Sequence, residues 1–185
     1  MVQNYPVLTL PGWQGSGPTH WQSRWEERYG DRRVEQHEWM SPLRGDWMAR
    51  LEEVLLEQTE PVFLAAHSLG CLLVANWAEH SVNIQRVAGA LLVAPPDAQQ
   101  QDWPVSLRSW TQIPAKPLPF PAFVVASRDD HYCRLERAKG FANQWRARFI
   151  DCGARGHING DSGLGDWPEG RAWLQELSFE VSKGK

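Results

Sequence analysis

The sequence predicts an α/β fold built on a mostly parallel sheet, and three observations predict it. Short apolar runs alternate with longer stretches of helical period. The middle runs are apolar almost throughout, as strands covered on both faces must be. The 185 residues suffice for one compact domain but not for two ordinary enzyme domains and a linker, so residues 1–185 are expected to form a single unit.

Taken in order, Val7 to Leu10 is the first expected strand. The stretch from Thr19 to Tyr29 follows as a helix, with Trp21 and Trp25 at i and i+4. A second strand is expected from Val34 to Glu38. From Asp46 to Gln58 a helix aligns Trp47, Leu51, Val54, Leu55 and Gln58 along one mainly apolar stripe. Val62 to Ala66 is the third strand, Leu69 to Glu79 the next helix, and Val87 to Ala94 the fourth strand. Between Pro95 and Pro121, prolines and a Gln-rich patch break the rhythm, which predicts a crossover with little regular structure. Such an insertion leaves a parallel sheet at the carboxyl ends of its strands, so it is either a wall of a ligand pocket or an exposed connection. Strands from Ala122 to Ser127 and Arg148 to Ile150, and helices from Arg134 to Trp145 and Pro168 to Leu177, complete the set. Pro168 suits a first helical turn, and Ser182 to Lys185 read as a frayed tail.

Composition narrows the function classes. With 19 basic and 22 acidic side chains the net charge is −3, a balance that argues against nucleic acid as the main partner. The longest apolar run, Val87 to Ala94, is far short of the roughly 20 residues that cross a bilayer, so no membrane partner is expected. No basic segment followed by an apolar stretch opens the chain, and the expected location is cytoplasmic. Cys71, Cys133 and Cys152 are odd in number and widely spaced, which suggests neither a disulfide framework nor a zinc site. Tryptophan is the anomaly, at 11 residues. Trp25, Trp47, Trp77, Trp145 and Trp173 fall in predicted helices and are expected to pack on the sheet; Trp13, Trp21, Trp103 and Trp110 are candidates for an aromatic cleft.

The chemistry is concentrated at Ala66-His67-Ser68-Leu69-Gly70. A serine at the centre of a small-x-Ser-x-Gly pattern, between a strand and a helix, sits on a strained turn that lifts its hydroxyl above the sheet. Small residues two before and two after it, here Ala66 and Gly70, let strand and helix approach. His67 is adjacent in sequence but points elsewhere in such a turn, so a packing or pocket-lining role is expected for it.

A serine hydroxyl needs a base, and the base an acid to orient it; in this type of fold the chain order is Ser, Asp or Glu, then His. After the fifth strand comes Arg128-Asp129-Asp130-His131, and after the sixth a glycine-rich loop carrying His157. His157 is the expected base, and either Asp129 or Asp130 the acid. Backbone amides must stabilise the developing oxyanion. Leu69, at a helix N-terminus, offers one, and Trp13, in the glycine-rich loop after the first strand, the other. His20, Trp21, Trp103 and Trp110 are the candidate pocket residues. A metal site from His131, His157 and Asp129 lacks helical ligand spacing.

These residues resemble small α/β-hydrolases of the retinoblastoma-binding protein 9 type. The resemblance covers nearly the whole chain, through Pro11-Gly12, Gly15-Ser16, His20-Trp21, the elbow from Ala66 to Cys71, Ser127 to Asp130, and Gly153 to His157. It implies a three-layer α/β-hydrolase sandwich of about six strands with helices on both faces and no large lid. It also implies a Ser-His-Asp triad in which the second Asp of the pair, Asp130, is the acid. The expected function is hydrolysis of an ester, thioester or amide of a small apolar or aromatic substrate, with no metal or organic cofactor. The alternative is a module of the same fold that binds a protein or ligand with little turnover.

Overall fold

The computed structural model describes residues 5–183. Its centre is a six-stranded sheet in which every neighbouring pair is parallel, in the order β2-β1-β3-β4-β5-β6. The strands are β1 (Val7–Leu10), β2 (Arg32–Arg33), β3 (Val62–His67), β4 (Val87–Val93), β5 (Ala122–Ala126) and β6 (Arg148–Asp151). The helices are α1 (Trp21–Tyr29), α2 (Arg44–Leu56), α3 (Leu69–His80), α4 (Leu135–Trp145) and α5 (Pro168–Lys183). Helices α2, α3 and α4 cover one face and α1 and α5 the other, the three-layer arrangement that the sequence predicts.

Strand alternation builds both cores. In β3, Leu64 and Ala66 join Trp47, Leu51 and Leu72 on one face, while Phe63 and Ala65 join Trp21, Trp25 and Leu177 on the other. In β4 and β5 the same period separates Leu92 and Val124 from Leu91 and Phe123. Both faces are dry, which is why these strands are apolar almost throughout.

The second strand is corrected from Val34–Glu38 to Arg32–Arg33. Arg32 and Arg33 lie beside Leu8 and Thr9, and the N–H of Val34 donates to the Thr9 carbonyl at 2.9 Å. β1 ends one residue later at Leu10, so residues 35–38 have no neighbouring strand to pair with. The expected frayed tail is corrected at Ser182 and Lys183, which belong to α5; residues 184–185 lie outside the described residues. Leu174, Leu177 and Val181 continue one buried stripe and carry the helix that far. The Pro95–Pro121 crossover contains one short 3-10 helix, Val105–Trp110, whose Leu107 and Trp110 are buried.

After β1 the chain turns outward to β2 and then returns across β1 to β3, so the strand order reverses between β1 and β3. In open α/β sheets the crevice at the carboxyl ends of such strands is the natural ligand site. No helix among the described residues is long and apolar enough to cross a membrane.

Candidate active site

Ser68 stands at the reversal point, between β3 and α3, with φ 53° and ψ −120°. A non-glycine residue there is strained, and the crowding around it explains how the strain is held. A Cβ on Gly70 would lie 2.3 Å from the Leu10 carbonyl oxygen, and one on Gly12 would lie 2.8 Å from the Cβ of Ser68. The glycine of the elbow is therefore required by the end of β1, a neighbouring strand, more than by the elbow's own strand. Ser68 N–H donates to the Val93 carbonyl at 2.9 Å and ties the turn to β4.

The loop after β6 brings His157 to Ser68. The His157 Nε2 to Ser68 Oγ distance is 2.8 Å, and His157 Nδ1 lies 2.9 Å and 3.0 Å from the two carboxylate oxygens of Asp130. An ionised carboxylate only accepts, so the Nδ1 carries the proton and Nε2 is left to accept from the serine hydroxyl. The Asp130 side chain is 3% exposed and that of His157 12%, which shields the pair from water. Tyr132, two residues after Asp130, donates its N–H to Asp130 Oδ1 at 2.9 Å and packs its ring 4.5 Å from the His157 ring.

The adjacent carboxylate does different work. Asp129 Oδ1 accepts from Ser127 Oγ at 2.7 Å and from the Gly156 N–H at 2.8 Å, and both bonds hold its carboxyl below the usual carboxylate range. Ser127 Oγ in turn accepts from the Arg155 N–H at 2.8 Å. Asp129 thus ties the β5 loop to the loop that presents His157, while the hydrogen bonds of the His157 ring go to Asp130 and Ser68.

The candidate oxyanion donors flank the serine. Leu69 is the first residue of α3, so its N–H has no intrahelical acceptor. The loop after β1 crosses directly above, pinned by Gln14 N–H to the Trp39 carbonyl at 3.1 Å, Gly15 N–H to the Gly12 carbonyl at 3.0 Å, and Trp13 Nε1 to the Met40 carbonyl at 2.8 Å. Gly12, Trp13, Ser68 and Leu69 all face a cleft of about 410 Å³.

Of the four candidate pocket residues, His20 and Trp103 line this cleft. Trp21 and Trp110 do not: both are buried in the cores, Trp21 donating to the Ile158 carbonyl at 2.9 Å and Trp110 to the Pro42 carbonyl at 3.0 Å. For Trp21 the i, i+4 pairing with Trp25 was the informative signal, since it places the ring on the sheet side of α1. Tyr132, Leu107, Pro96 and Asp161 also line the cleft and were not singled out from sequence. Only Tyr132 carried a signal, its place beside the Asp pair. Among the described residues, no lysine or arginine lines the cleft. Burial pushes the Cys133 and Cys152 thiols up to about 12 and the Cys71 thiol well above its ordinary value, so none is a competing nucleophile at neutral pH.

The fold and this site define the class: an α/β-hydrolase whose elbow serine is hydrogen-bonded to a histidine. The chain belongs to the serine hydrolase family, whose profile matches residues 7–176. Among solved structures it is similar to a protein described as a YdeN-like hydrolase from Pectobacterium atrosepticum, at 31% identity and a TM-score of 0.85 over 95% of this chain and 91% of that one. The ydeN gene product of B. subtilis is 21% identical, with a TM-score of 0.72 over 94% and 98% of the two chains. A thermophilic esterase from Thermogutta terrifontis shares the fold at 16% identity and a TM-score of 0.66, over 95% and 91%. No curated protein matches the chain by sequence.

Proposed function

We propose that this serine hydrolase cleaves a carboxylic ester, thioester or amide through Ser68, His157 and Asp130. The observation that carries the reading is the continuous chain of contacts from Ser68 Oγ to His157 Nε2 and from His157 Nδ1 to Asp130. As the serine oxygen attacks the carbonyl carbon, His157 Nε2 takes its proton and Asp130 stabilises the imidazolium. The negative charge on the former carbonyl oxygen is met by the amides of Leu69 and Trp13, each worth about 2.7–4 kcal/mol in comparable sites. The imidazolium then protonates the leaving group, and an acyl-serine forms. Water, activated by the same Nε2, releases the acid and restores the serine. These steps are complete without a metal or organic cofactor.

A small uncharged substrate fits this reading. Trp13, Trp103 and Leu107 give the cleft apolar wall, and a substrate carboxylate would find no lysine or arginine there among the described residues. The closer resemblance to the retinoblastoma-binding protein 9 type, and carboxylesterase activity in particular, form part of the same proposal. The three cysteines are free, in keeping with a reducing, cytoplasmic setting. The test is turnover of p-nitrophenyl esters of graded acyl length. Ser68→Ala and His157→Ala are each expected to lower kcat by several orders of magnitude, on the order of 10^6 in comparable triads. A Ser68→Ala protein with undiminished turnover would overturn the assignment.

A further inference from the structure

Two buried imidazoles lie beside the site without belonging to its Ser-His-Asp chain. His20 and His67 are 4% and 5% exposed, and their rings pack edge-on at 4.6 Å. Their hydrogen bonds run in one direction, fixed by what stands at either end. The Gln22 backbone N–H donates to His20 Nδ1 at 3.2 Å, which makes His20 the cap of α1 and leaves its proton on Nε2. At the far end, the carbonyl of His157 can only accept, so the His67 Nε2 that lies 2.9 Å from it carries the proton. Between them, His20 Nε2–H meets the bare Nδ1 of His67 at 3.3 Å.

We propose that His20 and His67 are positioning residues, a one-way relay of hydrogen bonds from the first turn of α1 to the backbone of His157. The inference rests on the reading of His157 as the base. Its anchor is firm: the fully buried Gln22 side-chain amide donates to the carbonyls of Leu10 and Ala65 and pins the start of α1 to both strands beneath the site. Its target needs support. The loop around His157 contains Gly153, Gly156 and Ile158 at positive φ, and short loops with such angles hold shape only when tied down. The indole of Trp21 ties the next carbonyl, that of Ile158, so α1 and β3 together hold two consecutive carbonyls of the loop. Displacing the main chain there by an ångström would lengthen the contact to Ser68 or to Asp130, a misplacement that can cost about 100-fold in rate.

The relay tolerates only neutral rings. A proton added to His67 Nδ1 would face the Nε2–H of His20, and one added to His20 Nδ1 would face the Gln22 N–H. Burial, with the Arg33 charge and the nearby His157, lowers His20 to about 3, and burial with His20 and His157 holds His67 well below its ordinary value, in accord with that geometry.

The test pairs nitrogen-15 spectra of the histidine rings with kinetics of three variants. Wild-type protein is expected to show His20 and His67 as Nε2–H tautomers throughout pH 5–8; an imidazolium or an Nδ1–H form at His67 overturns the relay. His67→Leu, which removes the donor, is expected to lower kcat on the ester by about 10- to 100-fold with KM within threefold. His67→Gln returns an N–H near the same place and is expected to recover most of that loss. His20→Asn keeps an acceptor for Gln22 but removes the donor to His67, and is expected to fall between the two. Thermal melts separate folded from unfolded variants, and the spectra of the wild type decide the relay if His67→Leu does not fold. A folded His67→Leu with wild-type kcat, or a His67→Gln no better than His67→Leu, overturns the positioning role. Failure of the catalytic reading itself shows differently, as a wild-type protein that hydrolyses no ester while its ring spectra keep the expected tautomers.

Discussion

Asp129 and Asp130 are neighbours of the same chemistry, and only their surroundings separate them. Asp130 faces the His157 ring through both oxygens, whereas Asp129 binds Ser127 Oγ and the Gly156 amide. Asp130→Asn keeps the shape but removes the carboxylate charge and turns one of the two facing acceptors into an N–H donor, so the imidazole tautomer is no longer fixed; it is expected to lower kcat by about 10^4-fold, as such a change does in comparable triads. Asp129→Asn weakens the ties between two loops, and is expected to lower thermal stability while kcat stays within roughly tenfold, since the ring contacts remain. Steady-state kinetics and melts on the two proteins check both; equal losses of kcat would reverse or merge the assignments. The sequence left the two carboxylates open, and the resemblance favoured Asp130. What single residues could not reveal is direction: which way a side chain in a two-residue turn points depends on the turn.

At the scale of elements, the elbow was readable because its chemistry demands a local pattern, and Ala66-x-Ser68-x-Gly70 carries that pattern within five residues. The reason Gly70 must be small was not local. It lies under the end of β1, sixty positions earlier in the chain, where the Leu10 carbonyl leaves no room for a Cβ. Gly70→Ala is therefore expected to displace the β1 loop together with the Trp13 amide, lowering kcat by at least about tenfold, the scale of a misplaced oxyanion donor. A Gly70→Ala enzyme with full activity would show that the loop carries no donor. The tryptophans follow the same division. Trp21, Trp25, Trp47, Trp110 and Trp145 each donate an indole N–H to a backbone carbonyl outside their own helix, the loop residues Trp13 and Trp103 to the carbonyls of Met40 and Leu107, and Trp77 to the Glu52 carboxylate. Large rings fill both cores, and their N–H groups tie loops to helices, which accounts for the high tryptophan content better than an aromatic cleft does. Position in a helix is enough to place Trp25, Trp47, Trp77 and Trp145 in the core, whereas Trp173 is only half-buried against it, and for Trp21 and Trp110 nothing in the sequence reveals the carbonyls they bind. β2 was misplaced for a related reason: its partner β1 stops at Leu10, and a strand's extent is set by its neighbour as much as by its own residues.

Across the whole molecule, parallel order and dry faces on both sides follow from apolar runs that any reader of the sequence sees, and the reversal between β1 and β3 sets the site where the connections after β1, β3, β4, β5 and β6 converge. Burying two neutral histidines beneath that site has a consequence for the entire fold. A group whose folded pKa is depressed below the unfolded value of about 6.5 binds its proton only in the unfolded chain, so stability falls as pH drops below that value. His20 and His67 both behave so, facing Arg33, His157 and each other. His20 alone is expected to lower the unfolding free energy by up to about 1.4 kcal/mol per pH unit as the pH falls from 6 towards its folded value of about 3, and His67 adds to the fall in the same direction. Asp31, raised by burial despite its bond to Arg171, works in the opposite direction, and the depressed carboxylates of Glu52, Asp129 and Asp151 lose their contribution as the pH falls through their ordinary carboxylate values of about 4–4.5. Chemical denaturation at pH 7, 6 and 5 checks this, and a flat dependence would contradict it.

The most direct measurement of the central claim is intact and peptide-level mass spectrometry after exposure to a fluorophosphonate, which reacts covalently with an activated serine. The expected result is one adduct per chain, mapped to Ser68, absent in Ser68→Ala and slowed strongly in His157→Ala. An adduct on another residue, or equal labelling of Ser68→Ala, would contradict it.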